Sequence, residues 1–73
     1  MSRGIREYRL YSSALGKEIL VEAYNNLNAN EREAILDAVE KVFVYKQMFK
    51  VLGVKRIIVV DSENPDVIYT VFP

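Results

Sequence analysis

The chain has 73 residues, a formal net charge of zero and 51% hydrophobic residues, a composition that excludes a disordered segment and leaves room for one small domain, not two. It contains no Cys and no His, which excludes disulfides, thiolate zinc sites and an imidazole general base. Because a domain of this size buries only about 60% of its unfolded surface, self-association or partner binding is the support that remains.

The first predicted element is a β-strand over Ile5 to Tyr11. Tyr8 and Leu10 share one face of this segment, and charged residues alternate with them, which is the pattern of a half-buried strand. The surrounding sequence MSRGIREYRLYSS lacks the apolar core of a signal peptide. Apolar runs such as Ile57 to Val60 are far too short to span a bilayer. We therefore expect a soluble, cytoplasmic protein with no membrane partner.

A first helix is predicted over Ala14 to Leu27. Ser12 or Ser13 offers an N-cap oxygen, and Gly16 weakens the first turn. The segment NNLNAN ends the helix, because Asn tolerates left-handed backbone and competes for backbone hydrogen bonds. The helix prediction itself depends on apolar residues that recur every four positions, namely Leu15, Ile19, Ala23 and Leu27.

A second helix is predicted over Glu31 to Leu52. Asn30 and Glu33 match a capping box, and Gly53 suits the position after the last turn. One apolar stripe runs along its length, formed by Ile35, Ala38, Val42, Tyr45, Phe49 and Leu52.

The second half of this predicted helix, VFVYKQMFKVL, is apolar on several sides. Val44 and Val51 lie roughly opposite the stripe, and Met48 lies on its flank. A helix that is apolar all round is usually covered all round, so this half predicts an additional contact surface.

The chain closes with a predicted hairpin of two strands, Val54 to Asp61 and Val67 to Phe72. The segment SENPD turns between them, with Asn64 and Pro65 at the first two positions of a β-turn. Neither strand alternates apolar with polar residues, which is typical of strands buried on both faces.

These elements predict a single α+β domain over residues 1–73 in the order β-α-α-β-β. Both helices pack as a hairpin on one face of a three-stranded sheet. Simple alternation turns Val54, Ile58 and Val60 toward the helices, and it leaves Ile57 and Val59 on the open face.

No catalytic signature accompanies this fold, and we expect neither enzymatic activity nor a cofactor or metal ion. The main hypothesis is a small interaction or regulatory module that forms a homodimer or docks on a larger protein. Its apolar contact surface would combine the open sheet face with the second helix. The predicted interface residues are Val44, Met48, Val51, Ile57, Val59, Ile68 and Phe72.

The charges suggest an alternative, because they are sorted in blocks. Residues 41–56 carry five basic groups and no acidic group, for example, while residues 57–73 carry three acidic groups only. Such blocks serve helix macrodipoles, but they also predict a basic, anion-binding patch. Its candidate residues are Arg3, Arg6, Arg9, Lys46, Lys50, Lys55 and Arg56.

The order of strand, helix pair and hairpin, with its ending DVIYTVF, resembles the core of RelE/ParE-like toxins. That resemblance implies cleavage of messenger RNA or action on gyrase, and Lys55, Arg56 and Tyr69 would supply the basic and Tyr residues that the family's ribonucleases use. The same order also resembles a winged-helix domain without its first helix, with DSENPD as the wing. Both resemblances favour nucleic-acid binding or cleavage through segments 3–9 and 46–56 as the alternative function.

Overall fold

The structure is a computed structural model that describes residues 4–41, 46–61, 63–64 and 66–73. Its strands form one sheet in the order β1-β2-β3-β4, and neighbouring strands are antiparallel. The α+β class is therefore confirmed, but the element order is β-β-α-α-β-β and the sheet has four strands where three were predicted. The elements are β1 (Arg6–Ser12), β2 (Lys17–Ala23), α1 (Ala29–Glu40), α2 (Lys46–Val51), β3 (Val54–Val60) and β4 (Ile68–Phe72).

Strand β2 occupies most of the segment that was predicted as the first helix. Its residues Ile19, Val21 and Ala23 are fully buried and alternate with less buried side chains, as in a strand with one face on the core. The prediction of a helix over Ala14 to Leu27 was wrong because a four-residue spacing is also a multiple of two. It therefore puts Ile19 and Ala23 on one face of a strand as readily as on one face of a helix.

A tight turn joins β1 to β2. The Gly16 N–H donates to the Ser12 carbonyl oxygen at 2.7 Å, and Gly16 has a φ of 65°, in the left-handed region where glycine has no steric penalty. Ser12 was predicted as a possible helix N-cap, but in the structure it is the last residue of β1. Its buried hydroxyl accepts from the Leu15 N–H and donates to the Glu40 carboxylate, which connects β1 to the end of α1.

Helix α1 begins with a capping box two residues earlier than predicted. The Asn28 side chain accepts from the Glu31 N–H at 2.8 Å, and the Glu31 carboxylate accepts from the Asn28 N–H at 2.8 Å. The sequence NANERE contains two overlapping Asn-x-x-Glu motifs, and the structure uses the first. Asn30 therefore lies inside the first turn of the helix.

The predicted long helix over Glu31 to Leu52 is interrupted. Helix α1 ends at Glu40, and Lys41 has an extended backbone with φ −89° and ψ 158°. Residues 42–45 lie outside the described part of the chain. The prediction that one helix is apolar all round was therefore wrong, because it required a single helical phase across this segment.

The end of α2 follows the prediction. The Gly53 N–H donates to the Lys50 carbonyl oxygen at 3.1 Å, and Gly53 has a φ of 78°, as expected of the residue that terminates a helix. A Cβ atom at Gly53 would lie 2.3 Å from the Asn25 side-chain nitrogen. Both the backbone and the packing therefore favour glycine here.

Both described helices pack on the same face of the sheet. On the α1 side, the Leu27 N–H donates to the Tyr8 hydroxyl at 2.9 Å, and the Arg32 guanidinium lies 5.6 Å from the centre of the Tyr8 ring. On the α2 side, Phe49 and Phe72 meet edge to face with ring centres 5.3 Å apart. The buried apolar residues between helices and sheet are Ile19, Val21, Ala23, Leu27, Ile35, Ala38, Phe49, Val54, Ile57, Val59 and Phe72.

A β-bulge reverses the predicted faces of β3. Val54 pairs with Ala23 while Arg56 pairs with Glu22, so Lys55 is an extra residue in the ladder. Such an insertion shifts the alternation by one position. As a result Ile57 and Val59 face the helices and are buried, and their predicted place on the open face was wrong.

A second bulge, in β4, also shifts the alternation of buried and open side chains by one position. Ile57 pairs with Phe72 while Ile58 pairs with Thr70, which leaves Val71 as the extra residue. Phe72 and its pairing partner Ile57 are therefore both buried on the helix-covered face. The prediction that Phe72 lies on the open face was wrong.

The turn between β3 and β4 begins where predicted. The Val67 N–H donates to the Asn64 carbonyl oxygen at 2.8 Å, which is the hydrogen bond of a β-turn that starts at Asn64. Pro65, the predicted second residue of this turn, lies outside the described residues. The strands on either side start and end within one residue of the predicted bounds.

Candidate interaction surface

The face of the sheet turned away from the helices carries an apolar stripe at its centre. Leu20 pairs with Ile58, and Val60 pairs with Ile68, so that apolar side chains on β2, β3 and β4 adjoin one another. The first three are half-buried by their neighbours, whereas Ile68 is 55% exposed. We call Leu20, Ile58, Val60 and Ile68 the open-face stripe.

Charged side chains flank this stripe in compensating pairs. Arg9 lies 3.4 Å from Glu18, and the Arg56 Nε atom lies 3.4 Å from Glu22 Oε1, close enough for charge compensation but outside hydrogen-bond geometry. Exposed pairs of this kind stabilise a fold by less than about 1 kcal/mol. The compensation is partial, because exposed Glu7 lies on the same face opposite Glu22.

Strand β4 extends the apolar surface to the edge of the sheet. It is an outer strand, and residues 67–73 contain no charged side chain. Tyr69, next to Ile68 in the chain, is 53% exposed and lies on the opposite face, since its partner on β3 is Val59. The other outer strand, β1, carries Arg6, Glu7 and Arg9, and charges of this kind protect sheet edges from unwanted pairing. The edge of β4 lacks that protection.

The residues predicted as one interface do not share one surface. Ile57, Val59 and Phe72 are in the core, Met48 packs partly against that core, and Val44 lies outside the described residues. Val51 is 73% exposed, but it belongs to α2, on the opposite side of the sheet from the stripe. Among the predicted residues, only Ile68 belongs to the open-face stripe.

The prediction missed Leu20, Ile58 and Val60 as parts of the open-face stripe. The alternation of β2 was the available signal for Leu20, because Glu18 and Glu22 on either side mark the outward face of a strand. No comparable signal was available for β3 and β4. The β4 bulge lies within apolar and β-branched sequence, and the β3 bulge falls at Lys55 beside Arg56, where two adjacent charged residues do not show which one is inserted.

The predicted basic residues are distributed over both sides of the sheet. Arg9 and Arg56 lie on the open face and are paired with glutamates. Lys46 and Lys50 are exposed on α2, on the helix-covered side. The remaining candidates are Arg6, exposed on β1, Lys55, exposed in the β3 bulge, and Arg3, outside the described residues.

Two further properties concern the described residues alone. No group of three or more His, Cys, Asp or Glu side chains within them is arranged to hold a metal ion. Neither of their helices has the length and apolar character that crossing a membrane requires.

The two family resemblances depended on the element order β-α-α-β-β, which the structure replaces with β-β-α-α-β-β. The element order therefore no longer supports a toxin-like or winged-helix core. Comparison with known proteins gives no alternative relative: no protein family matches the chain, and neither a curated protein nor a solved structure is significantly similar to it.

Proposed function

We propose that this chain is a small non-enzymatic interaction module that self-associates through the outer edge of β4, where the open-face stripe ends. The observation that carries the proposal is the placement of Ile68 and Tyr69. Both are more than half exposed on an outer strand, Ile68 on the open face and Tyr69 on the opposite face, and the strand has no charged residue. An outer strand without charged residues is a template for pairing with another chain.

A second copy is a suitable partner because the edge of β4 carries no charge. Residues 67–73 contain no charged side chain, so two copies of this edge can approach without opposing like charges. A partner with a strongly charged surface would find no complementary field here.

The expected affinity is modest. Burying the exposed half of a large apolar side chain contributes about 1 kcal/mol, so Ile68 and Tyr69 of two copies contribute about 4 kcal/mol before the ordering costs of association. Backbone and neighbouring contacts add to this. We expect a dissociation constant on the order of 10 to 100 μM, a net free energy of about 5.5 to 7 kcal/mol, which requires the backbone hydrogen bonds and neighbouring contacts to contribute the larger share.

A matched pair of double variants tests the proposal. Ile68→Asp with Tyr69→Asp introduces charge into the proposed surface. Val51→Asp with Tyr24→Asp makes the same chemical change elsewhere, at positions that are 73% and 46% exposed. Sedimentation equilibrium would measure the mass of each protein between about 10 μM and 1 mM, the range that brackets the expected dissociation constant.

The wild type and the Val51/Tyr24 variant are expected to reach twice the monomer mass within this range. The Ile68/Tyr69 variant is expected to associate at least about tenfold more weakly, because charged groups would have to be desolvated at the contact. A wild type that stays monomeric throughout would contradict the proposal, as would equal weakening by both variants.

A further inference from the structure

Within the described part of the chain, β4 pairs on one side only, and its pairing with β3 identifies the backbone groups at its outer edge. The Asp61 N–H donates to the Val67 carbonyl oxygen at 3.3 Å, and Val59 pairs with Tyr69. Residues of an antiparallel ladder alternate between those that bond to the neighbouring strand and those that point away from it. Tyr69 therefore directs its N–H and C=O toward β3, while Ile68 and Thr70 direct theirs to the free edge.

An identical strand satisfies these groups when the pairing is centred on Tyr69. Ile68 of one copy then lies opposite Thr70 of the other, and the two residues exchange N–H and C=O hydrogen bonds. We propose that β4 pairs antiparallel in this register with β4 of a second copy, about a two-fold axis beside Tyr69. This proposal rests on the proposed function, since it assigns the geometry of the same self-association.

The side chains of β4 are compatible with this symmetry. Tyr69 meets its own counterpart at the close, non-hydrogen-bonded position, where aromatic cross-strand pairs are favourable. Residues 67–73 carry no charge, so the symmetric pairing brings no like charges together.

The pairing also joins the two open faces into one surface. Ile68 and Thr70 point to the open face, because their partners on β3 are Val60 and Ile58. With Ile68 beside Thr70 of the other copy, the two open-face stripes become continuous across the joined four-stranded sheets. Edge pairing therefore leaves a longer apolar surface than either copy has alone.

Introduced cysteines test the register directly, because the chain has no Cys of its own. In the proposed pairing, the two copies of position 69 have Cα atoms about 4.5 Å apart, which is within the reach of a disulfide. The two copies of position 68 are displaced along the strands and lie beyond that reach. In a glutathione redox buffer, Tyr69→Cys should therefore form a covalent dimer at least about tenfold faster than the similarly exposed Ile68→Cys.

A proline variant tests whether the free edge carries the contact. Thr70→Pro removes an N–H that points away from β3, a change that outer strands tolerate. Thr70→Val is the matched control, because it alters the same side chain and keeps the N–H. In sedimentation equilibrium, Thr70→Pro should lose association by about tenfold or more, and Thr70→Val should associate as the wild type does.

The outcomes separate this inference from the proposed function. Equal cross-linking at positions 68 and 69, or undiminished association of a folded Thr70→Pro protein, would overturn the proposed pairing; if the wild type still dimerises, self-association itself would stand with another geometry. A wild type that remains monomeric would overturn both. If Thr70→Pro does not fold, the ratio of the two cross-linking rates alone decides.

Discussion

Individual hydrogen bonds at the start of α1 decide where the helix begins. Asn28 and Glu31 satisfy each other's backbone N–H groups at 2.8 Å in both directions. We expect Asn28→Ala to lower the free energy of unfolding by about 1 kcal/mol, the usual effect of losing an N-cap side chain. Urea denaturation followed by circular dichroism would measure the change.

Asn30→Ala is the matched control for this prediction, because Asn30 also lies three residues before a glutamate. Asn30 is inside the first turn of the structure, where Ala has the higher helix propensity, so this variant should be neutral or slightly more stable. Equal destabilisation by both variants, or a larger loss from Asn30→Ala, would contradict the observed start of the helix.

At the scale of an element, α2 is a helix of six residues, too short to be stable by itself. Its attachment depends on Phe49, which is fully buried and meets Phe72 edge to face. We expect Phe49→Ala to cost about 3–5 kcal/mol, a large part of the stability of a small domain. Thermal and urea unfolding would show this as a lost or strongly shifted transition.

Val51→Ala is the control within the same helix. Val51 is 73% exposed, so its truncation should change the free energy of unfolding by less than about 0.5 kcal/mol. If the two variants destabilised the protein equally, Phe49 would not be the residue that attaches α2 to the sheet.

The elements also show which parts of this fold the sequence predicts. The hairpin of β3 and β4 was predicted nearly to its ends, because β-branched runs flank a turn that begins at Asn64. Strand β2 was missed, because its apolar spacing also satisfies a helix. The signal against a helix was Gly16, placed between two strand-like runs where a hairpin turn requires left-handed backbone.

The candidate surface was less predictable than the elements, for a physical reason. Side chains of a strand alternate between its two faces, so one inserted residue moves every later side chain to the opposite face. The bulges at Lys55 and Val71 each insert one residue without any Gly or Pro in the sequence to mark them. The hairpin was therefore correct while most of its buried and open faces were exchanged.

At the scale of the whole molecule, one apolar layer between two short helices and a sheet stabilises the described chain. The charge blocks of the sequence do not form one field over it, since Arg9 and Arg56 are paired on the open face while Lys46 and Lys50 are on α2. Nucleic-acid binding depends on concentrated positive charge and weakens steeply with salt. Association through the uncharged edge of β4 should instead be insensitive to salt.

Because self-association favours the folded state, the stability of the whole molecule should depend on protein concentration. For two chains of this length that fold and associate together, each tenfold increase in concentration above the dissociation constant should raise Tm by about 5 °C. Calorimetry across the concentration range would measure this slope, at low and at high salt. The slope should be similar at both salt concentrations and absent from the Ile68→Asp, Tyr69→Asp variant, because its two charges disrupt the contact at positions that are more than half exposed. A wild-type Tm independent of concentration would show that the chain gains no stability from a second copy.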